Sequence, residues 1–142
     1  TIGPDGNPWV LDWNNHRILT SRVDEDGKTP ISVAVTGSAF VGDGPLNGAA
    51  SAALWNHPTN IHFEADGTFL FAAWHNSRVI GVDPAGDRVW HVAGNGMRAF
   101  GGDDGPALDA AFDLPVGLAR GENGLLYVAD QANQRIRCID DD

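Results

Sequence analysis

The sequence predicts an all-β architecture: a segment of a β-propeller built from four-stranded antiparallel blades, with short helical turns in the loops between blades. Three observations carry that prediction. A polar motif recurs three times, as "LDWNNHRIL", "AAWHNSRVI" and "ADQANQRIR". A second landmark, "GDGP" at 42–45 and "DDGP" at 103–106, falls between its copies. Short apolar, aromatic and β-branched runs each follow a turn signal, at Asp5-Gly6, Asp66-Gly67 and Asn123-Gly124. Self-similarity at a long fixed period is the mark of a repeat architecture.

The repeat sets the register of everything else. Asp12, Ala73 and Asp130 correspond, as do Asn15, Asn76 and Asn133, and Arg17, Arg78 and Arg135. The spacings are 61 and then 57 residues, so small insertions fall in loops, where they are tolerated. A third landmark pairs "HPTNIHF" at 57–63 with "LPVGLAR" at 114–120.

Letters a to d name a blade's strands from the axis outward. Strand a is "NIHFEA" or "VGLARG", and each copy precedes a Gly turn. Strand b is "PWVLDW", "FLFAAW" or "LLYVAD". Strand c is "RILTSRVD", "RVIGVD" or "RIRCID", and strand d is "ISVAVTG" or "VWHVAG". The chain then runs b-c-d, a-b-c-d, a-b-c, ten strands in all. Its predicted division is blade 1 at 1–37, a loop at 38–59, blade 2 at 60–94, a loop at 95–114 and blade 3 at 115–142. Within the loops, "NGAASAAL" and "GPALDAAF" each predict a helical turn near Gly-Pro. A closed ring needs at least about four blades. These blades are therefore expected to be completed by additional blades of a longer chain or by self-association.

Composition narrows the function classes. The chain has 19 acidic and nine basic residues, one of them a Lys, and a formal net charge of −10. That balance repels phosphate backbones and anionic membranes, so neither nucleic acid nor a membrane is an expected partner. No apolar run is long enough to span a bilayer, and no signal-peptide pattern is visible. A single cysteine, Cys138, excludes an intrachain disulfide. It shares a strand c slot with Thr20 and Gly81 and is expected to be a buried, inert thiol.

With its Asn-x-Arg motif, Gly-Asp-Gly-Pro loop and "GLAR…LLYVADQANQRIRCID", the chain resembles the NHL-repeat β-propellers. The likeness covers essentially the whole sequence and is fullest at 101–140. It implies that the b–c turns and the d–a segments emerge on one face, the default binding face. Candidate binding residues there are Trp13, Asn14, His16, Trp55, His57, Trp74, His75 and Phe100. Asn15, Arg17, Asn76, Arg78, Asn133 and Arg135 recur in every blade and are expected to serve the blade itself. Asn suits a tight turn, and Arg can bond Asp12, Asp130 or carbonyls between blades.

The leading expectation is a non-enzymatic binding or scaffold module that recognises a protein or a glycan through this face. The resemblance and the acidity point to an exported bacterial protein, extracellular or periplasmic. The alternative is a metal-dependent enzyme, since relatives include a peptide-amidating lyase and similar propellers act as lactonases, with metal on the axis. Its candidate ligands are His57, His62 and Glu64, suited to zinc or calcium. RNA binding, known among animal relatives with a basic face, fits the charge poorly. The acidic Gly loops hold Asp43, Asp103 and Asp104; the Asp before each Gly-Pro, Asp43 or Asp104, is expected to cap the short helix behind it.

Overall fold

The computed structural model describes residues 1–140. The last two residues of the predicted blade 3 lie outside them. Ten strands form three antiparallel sheets. Blade 1 contains β1 (Trp9–Asp12), β2 (Arg17–Val23) and β3 (Pro30–Thr36). Blade 2 contains β4 (Pro58–Phe63), β5 (Phe69–Ala73), β6 (Arg78–Asp83) and β7 (Arg88–Ala93). Blade 3 contains β8 (Pro115–Arg120), β9 (Leu126–Asp130) and β10 (Arg135–Ile139). Each sheet is a meander in chain order.

Strand register confirms the repeat alignment. Asp12 stands opposite Arg17, Ala73 opposite Arg78 and Asp130 opposite Arg135. The a–b turns close on Gly67 and Gly124, both at positive φ, where a side chain would strain the backbone. Asp66 holds the first of these turns by accepting from the Thr68 backbone N–H at 2.9 Å. Blade 2 opens at Pro58, two residues before its predicted start. Pro58 pairs with Ala73 across a bulge at Thr59, so the proline begins the strand without breaking the ladder.

Two cores separate the three blades. Trp9, Ile18, Trp55, Phe69, Phe71, Ile80 and Val82 pack between blades 1 and 2. Leu70, Val79, Phe112, Leu126, Val128 and Ile139 pack between blades 2 and 3. Neighbouring residues of β5 enter different cores, because a strand's side chains alternate between faces. All of "FLFAA" is therefore buried, whereas β9, in the terminal blade, alternates buried and half-buried positions. Inner strands are tied directly as well: the Leu118 backbone N–H donates to Asn60 Oδ1 at 2.9 Å, and Arg120 pairs with Glu64 at 2.8 Å.

Two sequence expectations fail here. Cys138 is exposed, not buried. Its blade 2 counterpart, Gly81, lies under Trp90 of strand d, and blade 3 has no described strand d to cover the slot. The loop helices are single 3-10 turns, Ala50–Ala52 and Ala107–Asp109, and neither has a side-chain cap. Asp43 and Asp103 are used elsewhere: Asp43 pairs with Arg78 at 3.1 Å, and Asp103 pairs with Arg137.

Candidate binding face

Each b–c turn is built the same way. Trp13–Asn15 and Trp74–Asn76 form 3-10 turns, and the residue after each repeated Asn is left-handed: His16 (φ 55°), Ser77 (φ 54°) and Gln134 (φ 55°). The Asn itself latches the loop that enters its blade. Asn76 Nδ2 donates to the Gly42 carbonyl at 2.8 Å, and Asn133 Nδ2 donates to the Ala99 carbonyl at 2.9 Å. Asn15 instead bonds Asp12 at 2.7 Å. In blade 3, Asp130 Oδ1 accepts the Asp113 backbone N–H at 2.8 Å. Blade 2 has Ala73 in that place, and Asn76 Oδ1 accepts the equivalent N–H of Asn56 at 2.8 Å. That substitution explains how blade 2 dispenses with the aspartate.

The repeated arginines diverge. Arg17 pairs with Asp12 at 2.7 Å. Arg78 reaches Asp43 and the Gly94 carbonyl, the latter at 2.8 Å. Arg135 does not take Asp130, which bonds Arg137, two residues on, at 3.4 Å. Instead Arg135 lies 3.9 Å over the Phe100 ring. A cation over an aromatic face is held by the ring quadrupole. Phe100 is thus occupied on one side by its own chain.

Three segments far apart in sequence meet above blades 1 and 2. The Trp13 ring lies 4.2 Å from His57 and 5.5 Å from Trp74. His57 sits between two other imidazoles, His16 at 4.7 Å and His75 at 4.6 Å. Trp74 stacks on His75 at 4.2 Å, with the planes 16° apart, and its indole N–H donates to Gln131 at 3.3 Å. The His57 backbone N–H donates to His16 Nδ1 at 3.3 Å. Asn56 Oδ1 stands 2.6 Å from His57 Nδ1, so that nitrogen carries the proton and leaves Nε2 as the acceptor. His57 is itself left-handed (φ 59°), a conformation held by the surrounding contacts. Trp13 stays 40% exposed, and Asn14 is exposed beside it.

Burial holds the His57 imidazole below the ordinary histidine range, and the charges of His75 and His16 push it the same way. Burial also lowers His75, with Arg98 and His16 adding to the effect. Both are therefore biased toward the neutral ring.

Of the sequence candidates, Trp13, His16, His57, Trp74 and His75 converge. Trp55 does not belong to the face. It is fully buried, edge-on to Phe71 at 5.1 Å, with its indole N–H on Thr36 Oγ1 at 2.8 Å. The metal candidates do not converge either. His57 and Glu64 flank opposite ends of β4, about 23 Å apart at about 3.3 Å per residue. Glu64 is held by Arg120, and His62 lies half-buried within β4. Among the described residues, no group of three or more His, Cys, Asp or Glu side chains is arranged to hold a metal ion. No helix among them is long and apolar enough to cross a membrane.

Gln131, Asn56 and Arg98 were missed as site residues. The repeat already pointed to Gln131, which occupies the slot of Trp13 and Trp74. Phe40 and Met97, equivalent loop positions 57 residues apart, also project, with 73% and 62% of their surface exposed. A separate groove of about 750 Å³ follows β10 and is lined by Asp103, Phe112, Arg135, Arg137 and Cys138. It occupies the flank that strand d covers in blade 2.

Comparison with known proteins agrees with this architecture. Residues 112–139 match the NHL repeat family. Over 97 residues the chain is 36% identical to Protein SUPPRESSOR OF QUENCHING 1, chloroplastic, of Arabidopsis thaliana, a match covering 68% of this chain and 9% of that protein. It is 33% identical over 99 residues to NHL repeat-containing protein 2 of Bos taurus, covering 68% of this chain and 14% of that one. The chain thus spans a small part of these relatives. The crystal structure of an auxiliary nutrient binding protein from Bacteroides ovatus superposes with a TM-score of 0.78 at 24% identity, covering 97% of this chain and 36% of the other. At that identity the likeness shows the fold alone.

Proposed function

The chain belongs to the NHL-repeat β-propellers, and on that premise we propose that it is a recognition module whose loop face binds a protein or a glycan. One observation carries the reading: Trp13, partly exposed, is braced by His57 and Trp74 in a cluster assembled from three segments. Aromatic rings held rigidly beside neutral polar groups make a low-entropy contact surface. Gln131, Asn14 and the imidazoles supply donors and acceptors around it. The solved neighbour named as a nutrient binding protein is consistent with a ligand-binding role.

The partners that complete the propeller belong to the same reading. Further blades of a longer chain, or copies of this one, would cover the β10 edge and its groove. The test is binding of the labelled chain to glycan and peptide arrays, with Trp13→Ala alongside. Loss of the array signal at an unchanged melting temperature supports the proposal. Signals equal in the two proteins overturn it.

A further inference from the structure

Among the described residues, no carboxylate forms an ion pair with His16, His57 or His75. The carboxylates on the elements around them are taken: Asp12 by Arg17, Asp43 by Arg78 and Asp113 by Arg98. Arg98, itself paired with Asp113, adds to the effect of burial on His75. Protonation of His57 places a cation between His16 and His75, each under 5 Å away ring to ring. That state is unfavourable until an anion joins it. Beside the imidazoles lies the open indole of Trp13, 4.2 Å from the His57 ring.

We propose that the cluster binds an acidic sugar, a uronate, whose ring lies on Trp13 while its carboxylate is held by the imidazoles of His16, His57 and His75. A uronate joins the two requirements in one rigid unit. One face of its pyranose ring is a patch of C–H groups that packs on an indole, and the carboxylate projects from the ring edge. The Trp13 and His57 rings are in contact at 4.2 Å, so a ligand packed on the indole lies within reach of the imidazole. This inference rests on the recognition reading and narrows its ligand. It carries a sign: binding takes up protons, so affinity rises as pH falls through the imidazole range. The limit is about tenfold per pH unit for each proton taken up.

The experiment uses the full chain and three probes: trigalacturonate, the neutral sugar maltotriose, and triglutamate as an anion without a ring. Affinities are measured by calorimetry at pH 8 and pH 5.5, and the imidazole titrations are followed by NMR with and without trigalacturonate. The expected result is that trigalacturonate binds best, tightens at least tenfold toward pH 5.5, and raises the titration midpoints of His57 and His75. His57→Gln should flatten the pH dependence, and Trp13→Ala should weaken binding at both pH values. Triglutamate binding as tightly would overturn the proposal in favour of an acidic protein segment. Trigalacturonate affinity independent of pH, or midpoints unmoved by it, would overturn it too. If maltotriose binds as well as trigalacturonate and Trp13→Ala abolishes both, the uronate fails while the recognition face stands. If Trp13→Ala changes nothing, both fail.

Discussion

Gly81→Ala isolates a single packing decision. Strand c carries Thr20, Gly81 and Cys138 in equivalent slots, and only Gly81 has the Trp90 ring directly over it. A methyl group there would lie 2.1 Å from Trp90 Cε2, 2.3 Å from Cζ2 and 2.6 Å from Cδ2. Carbon atoms pack at about 3.5–4.0 Å, so the indole must retreat by about 1.5 Å. Trp90 is half-buried against Leu70, Val79 and Phe112, and retreat opens that packing. Overpacking of this kind costs about 2 kcal/mol and lowers the melting midpoint of a chain this size by about 6 °C. Backbone freedom works the other way: glycine inside a strand is less stable than alanine by about 0.5–1 kcal/mol. The sign should therefore reverse once the ring is gone. In a Trp90→Ala background, Gly81→Ala should be neutral or stabilising. The assay is a thermal melt of the four proteins of that cycle, with tryptophan emission as a second readout. An equal loss in both backgrounds, or no loss in either, refutes the reasoning.

Other consequences can be checked as directly. Asn133→Ala removes the bonds to Ala99 and Asp130, and should cost about 2 kcal/mol, with hydrogen exchange rising first in loop 95–104. His57 and His75 have folded values below their unfolded ones, so the unfolded chain binds more protons. Their contribution to stability is complete above the ordinary histidine range and is lost as pH falls through it. Melts at pH 7.5 and pH 5.5 should show this loss, and His57→Gln should reduce it. Cys138 should react with a thiol reagent in the native chain at close to the rate of a free thiol, and protection until unfolding would contradict its exposure.

Much of the fold was legible because the repeat fixed strand phase, and strand phase fixes which side chains share a face. The ten strands and their turn residues followed from that. Burial was less legible, since it depends on what lies outside the strand. Cys138 read as a small buried residue by analogy with Gly81, yet Trp90 has no described counterpart over it. Trp55 read as a residue of the binding face, but a hydroxyl 19 residues earlier holds its indole inward. Asp43 sat where a cap should be, but Arg78, 35 residues on, claims it, and Asp104 does not cap the turn behind it. The candidate face was half visible. The repeat singled out Trp13 and Trp74 as one recurring slot. It could not show that His16, His57 and His75 would meet, because they come from a turn, a loop and another turn with no common period.

The asparagine latch says where one inherited module stops and the next begins. Asn76 and Asn133 each fasten the loop ahead of their own sheet, 34 residues back. A cut between strand d and the loop that follows leaves latch and catch together. A cut between that loop and strand a parts them. The piece that can be copied, shuffled or transplanted whole is therefore a loop followed by three strands, with the outer strand riding as a spacer to the next copy. A designer lengthening or shortening such an array should splice at the end of the outer strand, and a lineage that duplicated blades would leave its seams there.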